Sequence, residues 1–240
     1  MHSNIDPAIL YFGTPVVLVS TLNPDGSANL APMSSVWWLG KSCVLGFGAR
    51  SQTPANIQRT GECVLNLASV CEADAVDRLA KTTGSDPVPP HKQAMGYRFE
   101  HDKFGTAGLS AIASVSVMPP RAAECPVHLE ATLESVHPLA VRDPVRRGGL
   151  VAFELRIVQV HVAEEIRMTG YSDRIDPDRW RPLIMSFQQF YGLTDRIRAS
   201  TLATIPESSY RRTAPTPHIP LPTPAACSRD GHDVDLVLRG

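Results

Sequence analysis

The sequence predicts a mainly β domain, a barrel of six or more strands with a few short helices. Short β-branched apolar runs recur through the first two-thirds of the chain, punctuated by Gly, Pro, Asn and Asp. Helical periodicity is sparse. One late strand switches the phase of its alternation, a device by which small sheets bend and close.

Residues 16–20 (Val-Val-Leu-Val-Ser) form the first such run, and Asn23-Pro24-Asp25-Gly26 supplies the turn after it. The runs 36–39 and 43–47 flank Gly40-Lys41-Ser42, which reads as a hairpin loop. Thr53 before Pro54 marks a helix start with Thr53 as N-cap, and Gly61 is placed to stop that helix. Residues 63–67 are a strand, and 73–80 carry a short helical pattern. Residues 82–98, with Gly84, Pro87, Pro89, Pro90 and Gly96, read as a long surface excursion without regular structure. Residues 127–136 alternate, with Leu129, Ala131 and Leu133 on one face and His128, Glu130, Thr132 and Glu134 on a polar face expected to meet solvent. Val151, Phe153, Leu155 and Ile157 are odd-numbered, whereas Val158, Val160 and Val162 are even, so a bulge or two-sided burial is expected at that point. Asp176-Pro177 opens a turn that Pro182 limits, and five prolines between 213 and 226 favour an extended tail.

The 240 residues carry 23 basic against 24 acidic side chains. That balance argues against a nucleic-acid binder, and Arg146-Arg147 and Arg211-Arg212 are too short to alter it. No apolar run reaches membrane-spanning length, and the first residues lack signal-peptide character, so a cytoplasmic protein is expected. Five widely spaced cysteines form no metal or redox pair, and no His/carboxylate set has metal-ligand spacing, so no metal is expected.

Chemistry concentrates after the strand ending at Phe47-Gly48. There Arg50, Ser51, Thr53 and Asn56 sit at a helix start, where free backbone N–H groups favour an anion. The same pattern fits a solvated loop in which Thr53 only caps the helix. The missing third glycine excludes a dinucleotide fingerprint, and the missing Gly-Lys-Ser/Thr excludes a triphosphate loop, leaving a monophosphate. Upstream, Asn29-Leu30-Ala31-Pro32-Met33-Ser34-Ser35 has small residues and a ladder-breaking proline, so a flat ring can approach its backbone; a bulged edge strand explains it equally well.

Taken in order, these segments, with Gly61-Glu62-Cys63-Val64-Leu65-Asn66, Asp102-Lys103-Phe104, Gly108-Leu109-Ser110 and Glu124-Cys125-Pro126-Val127-His128-Leu129-Glu130, resemble the flavin reductase-like, FMN-binding split-barrel family. The resemblance runs from about residue 10 to 165. It implies a homodimeric, Greek-key split β-barrel over residues 1–210, a proline-rich tail over 211–240, and FMN at the subunit interface. It further implies that Arg50, Ser51, Thr53 and Asn56 hold the phosphate and that residues 29–35, with Phe47 and Gly48, line the ring. Lys103 is either a surface lysine or a stabiliser of negative charge on the reduced ring; His128 is a solvent-facing strand histidine or a substrate contact. The implied activity is NAD(P)H:flavin reduction, with NADH or NADPH delivering hydride to flavin N5 and a partner monooxygenase as a possible recipient. No side chain is assigned as catalytic. The alternatives are an FMN enzyme acting on a specific small organic substrate and a non-catalytic flavin-binding barrel. Residues 185–192 (Met-Ser-Phe-Gln-Gln-Phe-Tyr-Gly) depart from the family's Arg-x-Gly-Gly-x-x-Tyr-like segment.

Overall fold

A computed structural model describes residues 1–211. The elements run β1 (Phe12–Pro15), β2 (Val17–Leu22), β3 (Ala28–Met33), β4 (Val36–Leu39), β5 (Ser42–Gly48), α1 (Gln52–Thr60), β6 (Glu62–Leu67), α2 (Ala73–Leu79), β7 (Thr82–Thr83) and α3 (Pro90–Ala94). They continue with β8 (Arg98–Phe99), α4 (Lys103–Ala107), β9 (Ala111–Ile112), β10 (Arg121–Ala122), β11 (Val127–Pro138), β12 (Leu150–Val162), β13 (Ile184–Ser186) and β14 (Gln189–Tyr191). Residues Met1–Arg198 form one compact unit; the proline-rich tail expected over 211–240 lies, from residue 212 on, outside the described residues. No described helix is long and apolar enough to cross a membrane.

Seven strands form one sheet in the order β3-β2-β6-β11-β12-β5-β4. Its two edge strands are joined by only Ser34 and Ser35, three Cα steps or about 11 Å at most. The sheet must therefore curl until its edges meet, although they share no ladder. This is a barrel closed by connectivity and split along one seam.

The curl encloses an apolar core of Val17, Val19, Leu45, Phe47, Cys63, Leu65, Phe153 and Leu155, into which α1 inserts Ile57. A second core lies outside, where Val16 and Leu18 meet Val76 and Leu79 of α2 and Phe104 and Ala107 of α4. The run 16–19 is continuously apolar because the chain is covered on both faces there, with Val17 and Val19 in the first core and Val16 and Leu18 in the second.

Two bulges bend the longest hairpin. Glu130 pairs with Gln159 and Ala131 with Ile157, so Val158 is the extra residue where the phase switches. Glu134 is extra on the opposite strand, since Leu133 pairs with Leu155 and Ser135 with Glu154.

Three expectations change. Helix α1 begins at Gln52 with Ser51 as N-cap, and Thr53 is not the cap, its hydroxyl being taken by Asn29; Gly61 does end the helix, at φ 74°. Residues 82–98 contain α3 and the parallel pair β7–β8, packed back onto the barrel. The polar face of β11 is buried at its start: His128 and Glu130 are covered by residues 113–122, whose backbone needs their side chains as partners. Glu130 accepts from the N–H groups of Val115 and Ser116 and from His161 Nε2 at 2.7 Å. Burial alone would raise its pKa, but these donors outweigh burial and hold the carboxyl below its ordinary value. His128 Nε2 donates to the Ala122 carbonyl at 2.8 Å, and burial lowers its pKa.

Candidate functional site

A cleft of about 220 Å³ opens beside β3, the end of β5 and the start of α1. One wall is apolar: Ala31, Pro32 and Met33 of β3, with Phe47 of β5. Pro32 brings no N–H to that wall, and Phe47 is fixed from behind edge-on against Phe153 at 5.2 Å between centroids. At one end Gly48 leads to Ser51, Gln52 and Thr53 at the N-terminus of α1. The opposite side is built by the excursion, with Thr82, Thr83, Gly84, Lys92 and Tyr97, and by Lys103 at the start of α4.

The α1 N-terminus has no side-chain cap and no acidic residue in its first turn. Ser51 Oγ instead accepts from Lys92 Nζ at 3.3 Å, and the same ammonium lies 3.5 Å from Thr83 Oγ1. Lys103 is 3% exposed. Burial, with the neighbouring charge of Lys92, lowers its pKa to about 8; burial also lowers that of Lys92. Among the described residues neither ammonium has a carboxylate within ion-pair distance. Two half- to fully buried cations lining one cleft, with Lys92 on the Ser51 hydroxyl at an uncapped helix start, favour an anion there.

The residues singled out from the sequence separate into two sets. Ala31, Pro32, Met33, Phe47, Gly48, Ser51, Thr53 and Lys103 line the cleft. Asn29 and Asn56 are buried behind it, and Arg50 is exposed beside it. Ser34 and Ser35 form the β3–β4 connection, where the Ser35 carbonyl accepts from Gly46 N at 2.8 Å. His128 lies on the outer face under residues 113–122, not at the cleft. Lys92, Thr82, Thr83, Gly84 and Tyr97 also line the cleft but are not legible from the sequence, because a Pro/Gly-rich stretch gives no periodicity from which to place a side chain.

Gly84 explains how the excursion reaches the barrel. A Cβ there would lie 2.7 Å from Asn29 Oδ1 and 3.1 Å from Gln52 Cγ, so only glycine permits that approach.

A family model described as "Flavin reductase like domain" matches residues 9–194. A Bacillus subtilis (strain 168) protein named "Uncharacterized protein YdfE" is 34% identical over 189 residues, 79% of this chain and 88% of that one. Flavoredoxin of Desulfovibrio vulgaris (Miyazaki F) has a similar structure, with a TM-score of 0.67 at 18% identity over 85% of this chain and 99% of that one. Nitrilotriacetate monooxygenase component B from Bacillus cereus gives 0.63 at 21% identity, over 78% and 88%.

Proposed function

This chain belongs to the flavin reductase-like family, and on that premise we propose that it is an FMN-dependent oxidoreductase that takes hydride from NADH or NADPH. The observation that carries the reading is the pair of ammonium groups, Lys92 and Lys103, lining an apolar-walled cleft beside an uncapped helix start, neither of them ion-paired to a carboxylate among the described residues. That set fits a ligand with one flat apolar part and one anionic part.

Bound FMN would supply the hydride chemistry at its ring. The protein's share is placement and electrostatics. Ser51, Thr53, Lys92 and the first free N–H groups of α1 hold the phosphate. Residues 31–33 and Phe47 form the ring wall and exclude water. Lys103 keeps its proton at neutral pH and favours negative charge that develops beside it.

The cleft is smaller than the ~300–1,000 Å³ usual for a pocket that encloses such a ligand. A second copy of the chain completing it, in a homodimer of Greek-key barrels, follows from this reading. Component B's name makes a partner monooxygenase a fitting recipient of reduced flavin.

A second reading, an FMN enzyme for a specific organic substrate, is favoured by the β13–β14 hairpin. Its turn residues Phe187 and Gln188 are held at φ 45° and 63°, and Phe187 stands edge-on to the exposed Phe12 at 4.9 Å. Positive φ at both positions is the geometry of a two-residue type I′ turn, and the hairpin presents these aromatic rings where the sequence departs from the family's Arg-x-Gly-Gly-x-x-Tyr-like segment. Titration with FMN, followed by NAD(P)H oxidation with and without free flavin, separates the two. Turnover that scales with free flavin supports the reductase; turnover only with an added organic acceptor supports the second reading; no FMN binding refutes both.

A further inference from the structure

Two cleft residues of α1 are each tied from behind by a buried asparagine. Asn29 Nδ2 donates to Thr53 Oγ1 at 3.1 Å, and Asn56 Oδ1 accepts from Gln52 Nε2 at 2.9 Å. The two asparagines converge on one atom: Thr21 Oγ1 accepts from Asn29 Nδ2 at 3.2 Å and from Asn56 Nδ2 at 3.0 Å. Asn56 Nδ2 is further held by Asn23 Oδ1 at 3.0 Å. Both asparagines are about 1% exposed, and Thr21 is fully buried. Residues of β2, β3 and α1 are thus joined in one network behind the wall, and only its outer ends reach the cleft.

We infer that Asn29 is a positioning residue that sets the direction of the Thr53 hydroxyl, making it a hydrogen-bond donor into the cleft. A hydroxyl has one proton and two lone pairs. Thr53 Oγ1 already accepts from Asn29 on its buried side, and no described residue accepts from it. Its proton is therefore left for an acceptor at the N-terminus of α1.

The amide orientation follows from what faces its other end. Asn29 Oδ1 is buried, unpartnered and directed at Gly84. Reversing the amide would turn both of its N–H groups toward Gly84 without an acceptor, whereas the present orientation leaves there one acceptor oxygen, with the Thr21 proton also without an acceptor; two unpaired buried N–H groups are the rarer and costlier fault. Asn56, by engaging Gln52 Nε2, keeps the side chain next to Thr53 from competing for the same place. The chemistry that recognises such a donor, flanked by Lys92, is a phosphate monoester.

This inference rests on the FMN reading, and comparing FMN with riboflavin separates their failures. Riboflavin has the same ring and no phosphate. Dissociation constants for both would be measured by flavin fluorescence with the full chain, its Asn29→Asp and Thr53→Val variants, and the double variant. Asn29→Asp turns the donor into an acceptor that draws the Thr53 proton back; Thr53→Val removes the hydroxyl at nearly constant shape. Each is expected to weaken FMN roughly 10- to 100-fold, as expected for a hydrogen bond to a charged group. Riboflavin should change less than about twofold. The double variant should bind FMN no worse than the weaker single variant, because both changes remove one interaction.

Parallel losses for FMN and riboflavin, or single effects that multiply, would overturn the positioning role. A native chain that binds neither flavin would overturn the FMN reading itself. If Asn29→Asp does not fold, Thr21→Val takes its place: it removes the oxygen both asparagines share without touching the cleft wall. It should lower the FMN-to-riboflavin affinity ratio, and an unchanged ratio would refute the inference.

Discussion

Gly84→Ala gives the sharpest structural prediction. The new methyl would sit 2.7 Å from Asn29 Oδ1, 3.1 Å from Gln52 Cγ and 3.3 Å from Gln52 Cβ. Neither neighbour can yield freely, since Asn29 is held by Thr21 and Thr53 and Gln52 by Asn56. Overpacking of this kind costs about 1–3 kcal/mol. For a body of this size each kcal/mol lowers Tm by roughly 2–4 °C, so a fall of about 2–12 °C is expected. Gly48→Ala is the internal comparison: its Cβ would meet only Ser51 Oγ at 3.4 Å, an ordinary contact, but would project at the cleft. It should leave Tm within about 1 °C and weaken FMN binding. Thermal denaturation of the two variants beside the native chain decides. A Gly84→Ala protein as stable as the native one would refute the close approach of the excursion to β3 and α1.

Further outcomes follow from other parts of the molecule. Glu130→Ala removes the acceptor of the Val115 and Ser116 N–H groups and of His161, so a loss of about 3 kcal/mol and faster amide hydrogen exchange over 113–122 are expected. Because the folded pKa of Glu130 is depressed, its stabilising share is complete above the ordinary carboxylate range and is lost as pH falls through the folded value; acid titration of Tm should show this in the native chain and not in Glu130→Gln. Lys103, with its pKa lowered to about 8, is protonated below that pH, so FMN affinity should fall as pH rises through 8, and Lys103→Met should flatten the profile. The same shift means the unfolded chain binds more protons above pH 8, so the ligand-free protein should gain stability there while it loses affinity. Gln188→Gly relieves a left-handed residue in a two-residue hairpin turn and should raise Tm by a few degrees, an increment worth about 1 kcal/mol.

The strands were legible because apolar alternation directly reports burial. The clearest case is the phase switch at Ile157 and Val158, which the structure resolves as a bulge at Val158. Gly40, Gly26 and Gly61 marked turns that do require positive φ. Alternation failed on β11, where polar Glu130 and His128 are buried: the partners that make their burial tolerable are backbone groups of residues 113–122, which no side-chain pattern announces. At the cleft, the β5-to-α1 segment was legible from residue type and spacing. Asn29 and Asn56 are indistinguishable from ligand contacts in the sequence, because an asparagine at the right spacing looks the same whether it faces a ligand or a neighbouring threonine. Lys103 read equally well as a surface residue, since its burial depends on packing between α4 and the barrel. Lys92 could not be placed at all without the fold of residues 82–98.

The cleft is proposed to hold a flavin that a nicotinamide nucleotide reduces. An absorption spectrum of the purified protein, reconstituted with FMN if colourless, followed by anaerobic addition of NADH and then NADPH, tests it most directly. Flavin bands that bleach rapidly with one of the two donors are the predicted result, and they would also identify the donor. Failure to acquire flavin bands, or bands that persist with both donors, would contradict the account.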